Sequence, residues 1–242
     1  MLIKISDNNQ TVYFNWLLIT FFLLSNLMVF YASAGEYSVS TSFEFQKALN
    51  MASNNGGDDV ILLKEGIYFG GFKIIIKENY ELNIKAEEGC NRKNVILDGA
   101  NKETVLKITS DNTYPIINIE EITIRNGGEN GLHIASSGTI HIESCQILNS
   151  YLKGIEIYNQ YGSVSIIKCI INKNRKNGIY IENGDNILIK ENGLKNQEDC
   201  PILLKSIKTA KIDSNLLSNN YSGIQCHNIE KVAISFNNLK FE

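Results

Sequence analysis

Between residues 117 and 239 apolar residues recur in fixed columns. A register started at Ile117 returns at Ile140, Val164, Ile187, Ala210 and Val232, at spacings of 23, 24, 23, 23 and 22 residues. Two residues on stand Ile119, Ile142, Ile166, Ile189, Ile212 and Ile234. Five on stand Ile122, Cys145, Cys169, Asn192, Asn215 and Asn237, and seven on stand Ile124, Ile147, Ile171, Leu194, Leu217 and Leu239. A third apolar pair follows a glycine in most copies: Leu132 and Ile134 after Gly131, Ile155 and Ile157 after Gly154, Ile179 and Ile181 after Gly178. Ile202 and Leu204 follow Pro201, and Ile224 and Cys226 follow Gly223.

Apolar residues two apart, with polar ones between, predict short strands that bury one face. Three such strands in about 23 residues leave no room for hairpins, so each is predicted to pair in parallel with its counterpart one coil away, about 4.8 Å along an axis. The six apolar positions per coil then form one continuous core. A helical solenoid is excluded because β-branched residues fill the columns and no 3.6-residue stripe runs long enough. Where the fifth column turns to Asn192, Asn215 and Asn237, each amide is predicted to bond the amide of the next coil.

The G-I-x-I pattern (Gly178 to Ile181), the I-x-I-x-x-N-x-I pattern (Ile187 to Leu194) and the asparagine column together resemble the right-handed parallel β-helix of the pectin-lyase-like superfamily. The resemblance covers most of the chain. It implies an all-β solenoid of three short strands per coil, and it is unspecific for function, because that superfamily holds lyases, hydrolases, esterases, tailspikes, adhesins and non-catalytic proteins.

The flanks break the period. Residues 1–34 read as a secretion signal: Lys4 in a polar start, an apolar run over 16–31 that falls short of the roughly 20 residues that span a bilayer, then Ala32-Ser33-Ala34 before Gly35. Residues 35–58 read as an N-terminal cap. Thr41 and Glu44 have capping-box spacing, and Phe45, Ala48, Leu49 and Ala52 share one helical face. Asp58 and Asp59 read as turn residues. Residues 59–242 read as the parallel β-helix, less regular over 74–108 and carrying an excursion at 87–94. At its far end the last apolar column closes at Leu239, so a partner or further chain is expected over the final coil.

Composition narrows the partners. At 242 residues, 43% hydrophobic and net charge −3, the chain has no basic excess, which argues against nucleic acid. The five cysteines show no metal-ligand spacing, and Cys145 and Cys169, in one inward column of adjacent coils, are close enough for a disulfide but are favoured as small apolar packing groups. No metal is expected, except that the stacked Glu120 and Glu143 would chelate calcium weakly.

In the enzymes that the fold resembles, a saccharide lies across a parallel strand face and its flanking bends. Here the outward column beside the glycines is His133, Glu156, Tyr180, Leu203 and Gln225, with Lys153 and Arg175 on the bends in front. His133, Glu156, Tyr180, Lys153 and Arg175 are therefore the candidate catalytic residues, and Tyr151, Tyr158 and Glu182 the candidate substrate-binding ones, with Tyr161 a further ring for stacking. For a uronic-acid sugar, Arg175 or Lys153 would neutralise the carboxylate while His133, Tyr180 or a lysine removes the C5 proton. The sequence thus predicts a secreted, periplasmic or cell-surface protein that engages polysaccharide, with no stable membrane insertion after signal cleavage. It acts either as a polysaccharide lyase or as a non-catalytic binding or structural module, on its own or as part of a larger surface protein.

Overall fold

The computed structural model describes residues 2–7, 10–15 and 34–240, in two separate units. In the first, Leu2–Asp7 pairs antiparallel with Gln10–Asn15. The apolar run and most of the small-residue site expected of a signal lie outside the described residues. No helix among the described residues is long and apolar enough to cross a membrane.

The second unit is an all-parallel solenoid of about 9 turns with one short helix. Each coil lays down a strand on three faces in turn. On face A, Gly35–Val39, Asp59–Leu63, Glu81–Ala86, Ile116–Glu120, Thr139–Glu143, Ser163–Ile167 and Asn186–Lys190 stack in chain order. Face B runs from Gly66–Phe69 through Val95–Asp98, Thr123–Arg125, Gln146–Leu148, Ile170–Asn172, Gly193–Lys195 and Leu216–Ser218 to Asn238–Lys240. Face C stacks Phe72–Ile76, Leu106–Ser110, Leu132–Ala135, Ile155–Tyr158 and Ile179–Glu182. In the last two coils faces C and A merge into single long strands, Ile202–Asp213 and Ile224–Ser235.

The predicted register holds pair by pair. Ile142 pairs with Ile119 and Ile166, and Ile189 with Ile166 and Ile212, all of them at most 1% exposed. The files also run back into the irregular coils, where Leu82 and Ile84 align with Ile117 and Ile119. A fully buried Ile or Leu contributes about 1.5–3 kcal/mol, so these files supply most of the driving force.

At Gly131, Gly154 and Gly178 the glycine column has a steric cause. A Cβ on Gly154 would stand 2.8 Å from the Gly178 carbonyl oxygen and 2.8 Å from Asn174 Nδ2, so successive coils approach too closely there for any side chain.

The asparagine ladder forms as expected. Asn215 Oδ1 accepts from Asn192 N at 2.9 Å and Nδ2 at 3.0 Å, and Asn237 Oδ1 accepts from Asn215 N and Nδ2, both at 2.9 Å. Asn192 Nδ2 and Asn215 Nδ2 also donate inward to Ile166 O at 2.8 Å and Ile189 O at 2.9 Å. Just ahead of each asparagine a non-glycine residue adopts the left-handed conformation, Glu191 at φ +58°, Ser214 at +56° and Phe236 at +52°, as does Lys168 at +54° ahead of Cys169 in the same column.

A second amide ladder is not foreseen in the sequence. At the bend between faces B and C, Asn174 N and Nδ2 both donate to Gln197 Oε1 at 3.1 Å, and Gln197 N to Asn220 Oδ1 at 3.0 Å.

At the N-terminal end, helix Ser42–Met51 follows Thr41, with both halves of the capping box formed, and buries Phe45, Ala48 and Leu49 against the first coils. Gly35–Val39, expected within the cap, is itself a strand paired with Asp59–Leu63. Asp59, expected in a turn, opens that second strand at 1% exposure and takes a 2.6 Å bond from Asn55 Nδ2. The excursion after Ala86 straps neighbouring coils together. Asn91 N donates to Glu65 Oε1 at 3.1 Å, Thr123 Oγ1 to Arg92 O at 2.7 Å, and Arg92 Nη1 to Ser144 O at 2.7 Å.

Candidate functional site

Face C presents its outward residues in one column because the strand period is two and the coils are in register. His133 pairs with Glu156, Glu156 with Tyr180, and Tyr180 with Leu203. The next outward column aligns Ala135, Tyr158, Glu182 and Lys205.

Six of the predicted residues meet on this face. Glu156 is the centre, and although it points outward only 7% of it is exposed. His133 Nδ1 lies 2.7 Å from its Oε2, and Asn130 Nδ2 donates to the same oxygen at 2.8 Å. Lys153 Nζ and the Tyr158 hydroxyl, the latter at 3.2 Å, donate to Oε1. Burial by itself raises the Glu156 carboxyl, but the bonds and charges of His133 and Lys153 outweigh it and hold the group down at about 2. Glu156 is thus a fixed anion with both oxygens committed. At neutral pH it has no proton to give.

Tyr180 donates its hydroxyl to Glu182 Oε2. Burial, then the Glu182 acceptor and its charge, raise the phenol above the ordinary tyrosine value. Lys153 Nζ sits 4.3 Å from the centre of the Tyr180 ring and Lys205 Nζ 5.4 Å from it, two cation–π contacts to one ring. Tyr158 links the halves, its ring 6.0 Å from His133 and 5.9 Å from Tyr180.

Two predicted residues stand apart from this cluster. Arg175 stacks 4.5 Å over the ring of Tyr151, and both are exposed on the bends that precede face C. Among the described residues no group of three or more His, Cys, Asp or Glu is placed to hold a metal ion. Glu143, weighed with Glu120 as a calcium ligand, pairs with Lys168 at 3.1 Å. Cys145 and Cys169 are buried free thiols, and burial pushes Cys145 well above its ordinary value.

Beside the cluster, at the bends from face C to face A, runs a groove that the sequence discloses only in part. One stretch of about 550 Å³ lies between Tyr114, Tyr158 and Tyr161, floored by Ser136 and Ser137. A second, of about 530 Å³, shares Gln160, Tyr161 and Asn183 with the first and continues past Asp185 and Lys208. Tyr114 and Tyr161 are 59% and 66% exposed, so two ring faces stand free on its walls. The bend below Tyr161 is shaped by Asn159, which is fully buried. Its Nδ2 donates to Gly138 O at 2.8 Å and its Oδ1 accepts from Gly162 N at 2.6 Å. Tyr114 is held by its own N–H, which donates to Asn79 Oδ1 at 2.7 Å.

No curated protein matches the sequence. Among solved structures, the alginate lyase from Paenibacillus sp. str. FPU-7 superposes with a TM-score of 0.32 at 13% sequence identity, over 86% of this chain and 98% of that one. The family model described as "Right handed beta helix region" matches residues 104–241, more than half of the 242 residues. The files of isoleucine, the glycine column and the amide ladder are thus the local form of a shared plan, and the chain belongs to the right-handed β-helix family.

Proposed function

We propose that this protein is exported and binds an extended polysaccharide along the groove at the face C to face A bends. The observation that carries this reading is the groove itself: free ring faces of Tyr114 and Tyr161 with amide and hydroxyl groups between them. Aromatic faces pack against the C–H faces of sugars, and amides and hydroxyls bond their hydroxyl groups. Tyr158, whose hydroxyl donates to Glu156, is the cluster's member on the wall of the groove. The apolar run ending at Ala32-Ser33-Ala34 supports export, and a mature chain starting at Gly35 is the expected product.

A lyase is the second reading, favoured by one detail. Glu156 engages His133 Nδ1, which leaves Nε2 free to take a proton beside Lys153, a cation suited to a uronate carboxylate. Against it, Tyr180 is a protonated donor to Glu182 with a raised value, so it is a poor base, and Arg175 is engaged with Tyr151 outside the cluster. Binding without turnover is the better-supported function.

Glycan-array binding followed by incubation with the strongest ligand separates the two. Tyr161→Ala is expected to weaken binding about tenfold, the loss of one stacked ring worth about 1.4 kcal/mol, with an unchanged melting temperature. No unsaturated uronate is expected to accumulate. Blank arrays across acidic and neutral glycans would remove the reading. Unsaturated product that disappears in His133→Ala would replace it with the lyase.

A further inference from the structure

We propose that the groove takes an uncharged, hydroxyl-rich glycan and turns uronates away, which rests on that groove being the binding site proposed above. The stretch between Tyr114 and Tyr161 is lined by serine, asparagine, glutamine, alanine and tyrosine side chains, and by no charged one among the described residues. The second stretch adds Asp185, Glu230 and Lys208, two carboxylates against one ammonium. Charge does not enter from the neighbouring cluster either. Tyr158, on the groove wall, is raised above the ordinary tyrosine value by burial and then by the Glu156 charge, so its hydroxyl stays neutral. Lys153 and Arg175, the cations expected to meet a uronate carboxylate, line neither stretch. Lys153 donates to Glu156 and Arg175 stacks on Tyr151.

The polar groups that remain suit alcohols. Ser110 Oγ donates to Ser136 Oγ at 3.0 Å, and Ser136 Oγ also accepts from Gly138 N at 3.2 Å, so these two hydroxyls close the floor. Among the described residues none partners the Ser137 hydroxyl or the side-chain amides of Gln160 and Asn183, all of which line the groove. Each can both give and accept a hydrogen bond, as can every hydroxyl of a sugar, whereas a carboxylate only accepts. A uronate lying here would lose water from its carboxylate with no cation to replace it between the two rings. Further along, Asp185 and Glu230 would repel the next carboxylate of the polymer. Selection then comes from a withheld cation as much as from the contacts made.

A glycan array probed with the full chain is expected to retain neutral members and leave polyuronates blank. For the strongest neutral hit that bears primary alcohols, oxidising those alcohols to carboxylates is expected to weaken binding by about tenfold or more at low salt. Raising the salt from about 0.05 to about 0.5 M is expected to leave the neutral ligand's affinity unchanged and to narrow the gap to its oxidised form, because screening shortens the reach of the two acids. Gln160→Lys, an exposed change where the two stretches join, is expected to narrow that gap about threefold or more with an unchanged melting temperature. A polyuronate among the strongest hits would overturn the inference and leave binding at the groove standing. So would a loss on oxidation that ignores both salt and Gln160→Lys, since that marks a missing contact and not a charge. An array blank across both classes would remove the groove reading and this selectivity with it.

Discussion

Two networks of buried polar groups lie within a few coils of each other, the asparagine ladder at the face A to face B bend and the Glu156 cluster on face C. Both obey the rule that a polar group taken out of water needs partners. The ladder spends its bonds on the chain: Asn215 receives the backbone N–H and the amide of Asn192 and donates to the Ile189 and Asp213 carbonyls. The cluster instead binds side chains to one another, and its outer members keep one side towards water, with His133 and Lys153 side chains 18% and 22% exposed. The first network holds the coil. The second leaves His133 and Lys153 partly open to water and places Tyr158 on the groove wall.

That contrast is broken most severely by Asn215→Leu, which fits the volume but takes the Asn215 side-chain partner from the Asn192 backbone N–H and from the Ile189 and Asp213 carbonyls, and removes one of two donors each from the Asn192–Asn215 and Asn215–Asn237 rungs. A loss of about 4 kcal/mol is expected in denaturant titration, the sum of several groups at 1–3 kcal/mol each, and it should not vary with pH.

Glu156→Gln is expected to cost less and to differ in kind. The folded carboxyl is held at about 2 against an ordinary 4.5, so its contribution is complete above about 4.5 and is lost as pH falls from there towards 2. Stability of the wild type should decline through that window by up to about 3 kcal/mol more than that of the Gln variant, since each tenfold change in proton affinity is worth about 1.4 kcal/mol. Parallel slopes for the two proteins would show that Glu156 is not held as an ion.

The smallest effect has the opposite sign. Lys168 adopts φ +54° at the bend, a conformation asparagine tolerates better than lysine. Lys168→Asn is expected to stabilise by about 0.5 kcal/mol, read as a small rise in melting temperature, less whatever its exposed pairing with Glu143 contributes.

The same contrast explains what the sequence disclosed. The files through Ile142 and Ile166 and the ladder from Asn192 to Asn237 were legible because every coil imposes the same demand at the same register, so a requirement is written several times over. The helix was legible from Thr41 and Glu44, whose reciprocal bonds need one spacing only. The second ladder escaped because its rungs change type, from Asn174 to Gln197 to Asn220, while doing one job. The outward column from His133 to Tyr180 followed from strand period alone, but that Glu156 would lie covered did not, because the cover comes from the long side chain of Lys153 and the amide of Asn130 reaching over from the bend. The groove was the least legible part. Its walls are bends such as those holding Tyr114 and Tyr161, whose shape rests on local bonds to Asn79 and Asn159 rather than on any repeated pattern.

The strap formed by the excursion after Ala86 bears on how such a spool would come undone under load. Coils that touch only their neighbours can be peeled from a free end one at a time, each giving way at a similar force. Arg92 interrupts this by gripping the Ser144 carbonyl while Thr123 grips Arg92 in turn, so an unravelling front advancing from the C-terminal side meets a knot-like fastening at that point. The coils carrying Glu156 and Tyr180 lie on the freely unwinding side of it, and those nearer the helix are tied as one block.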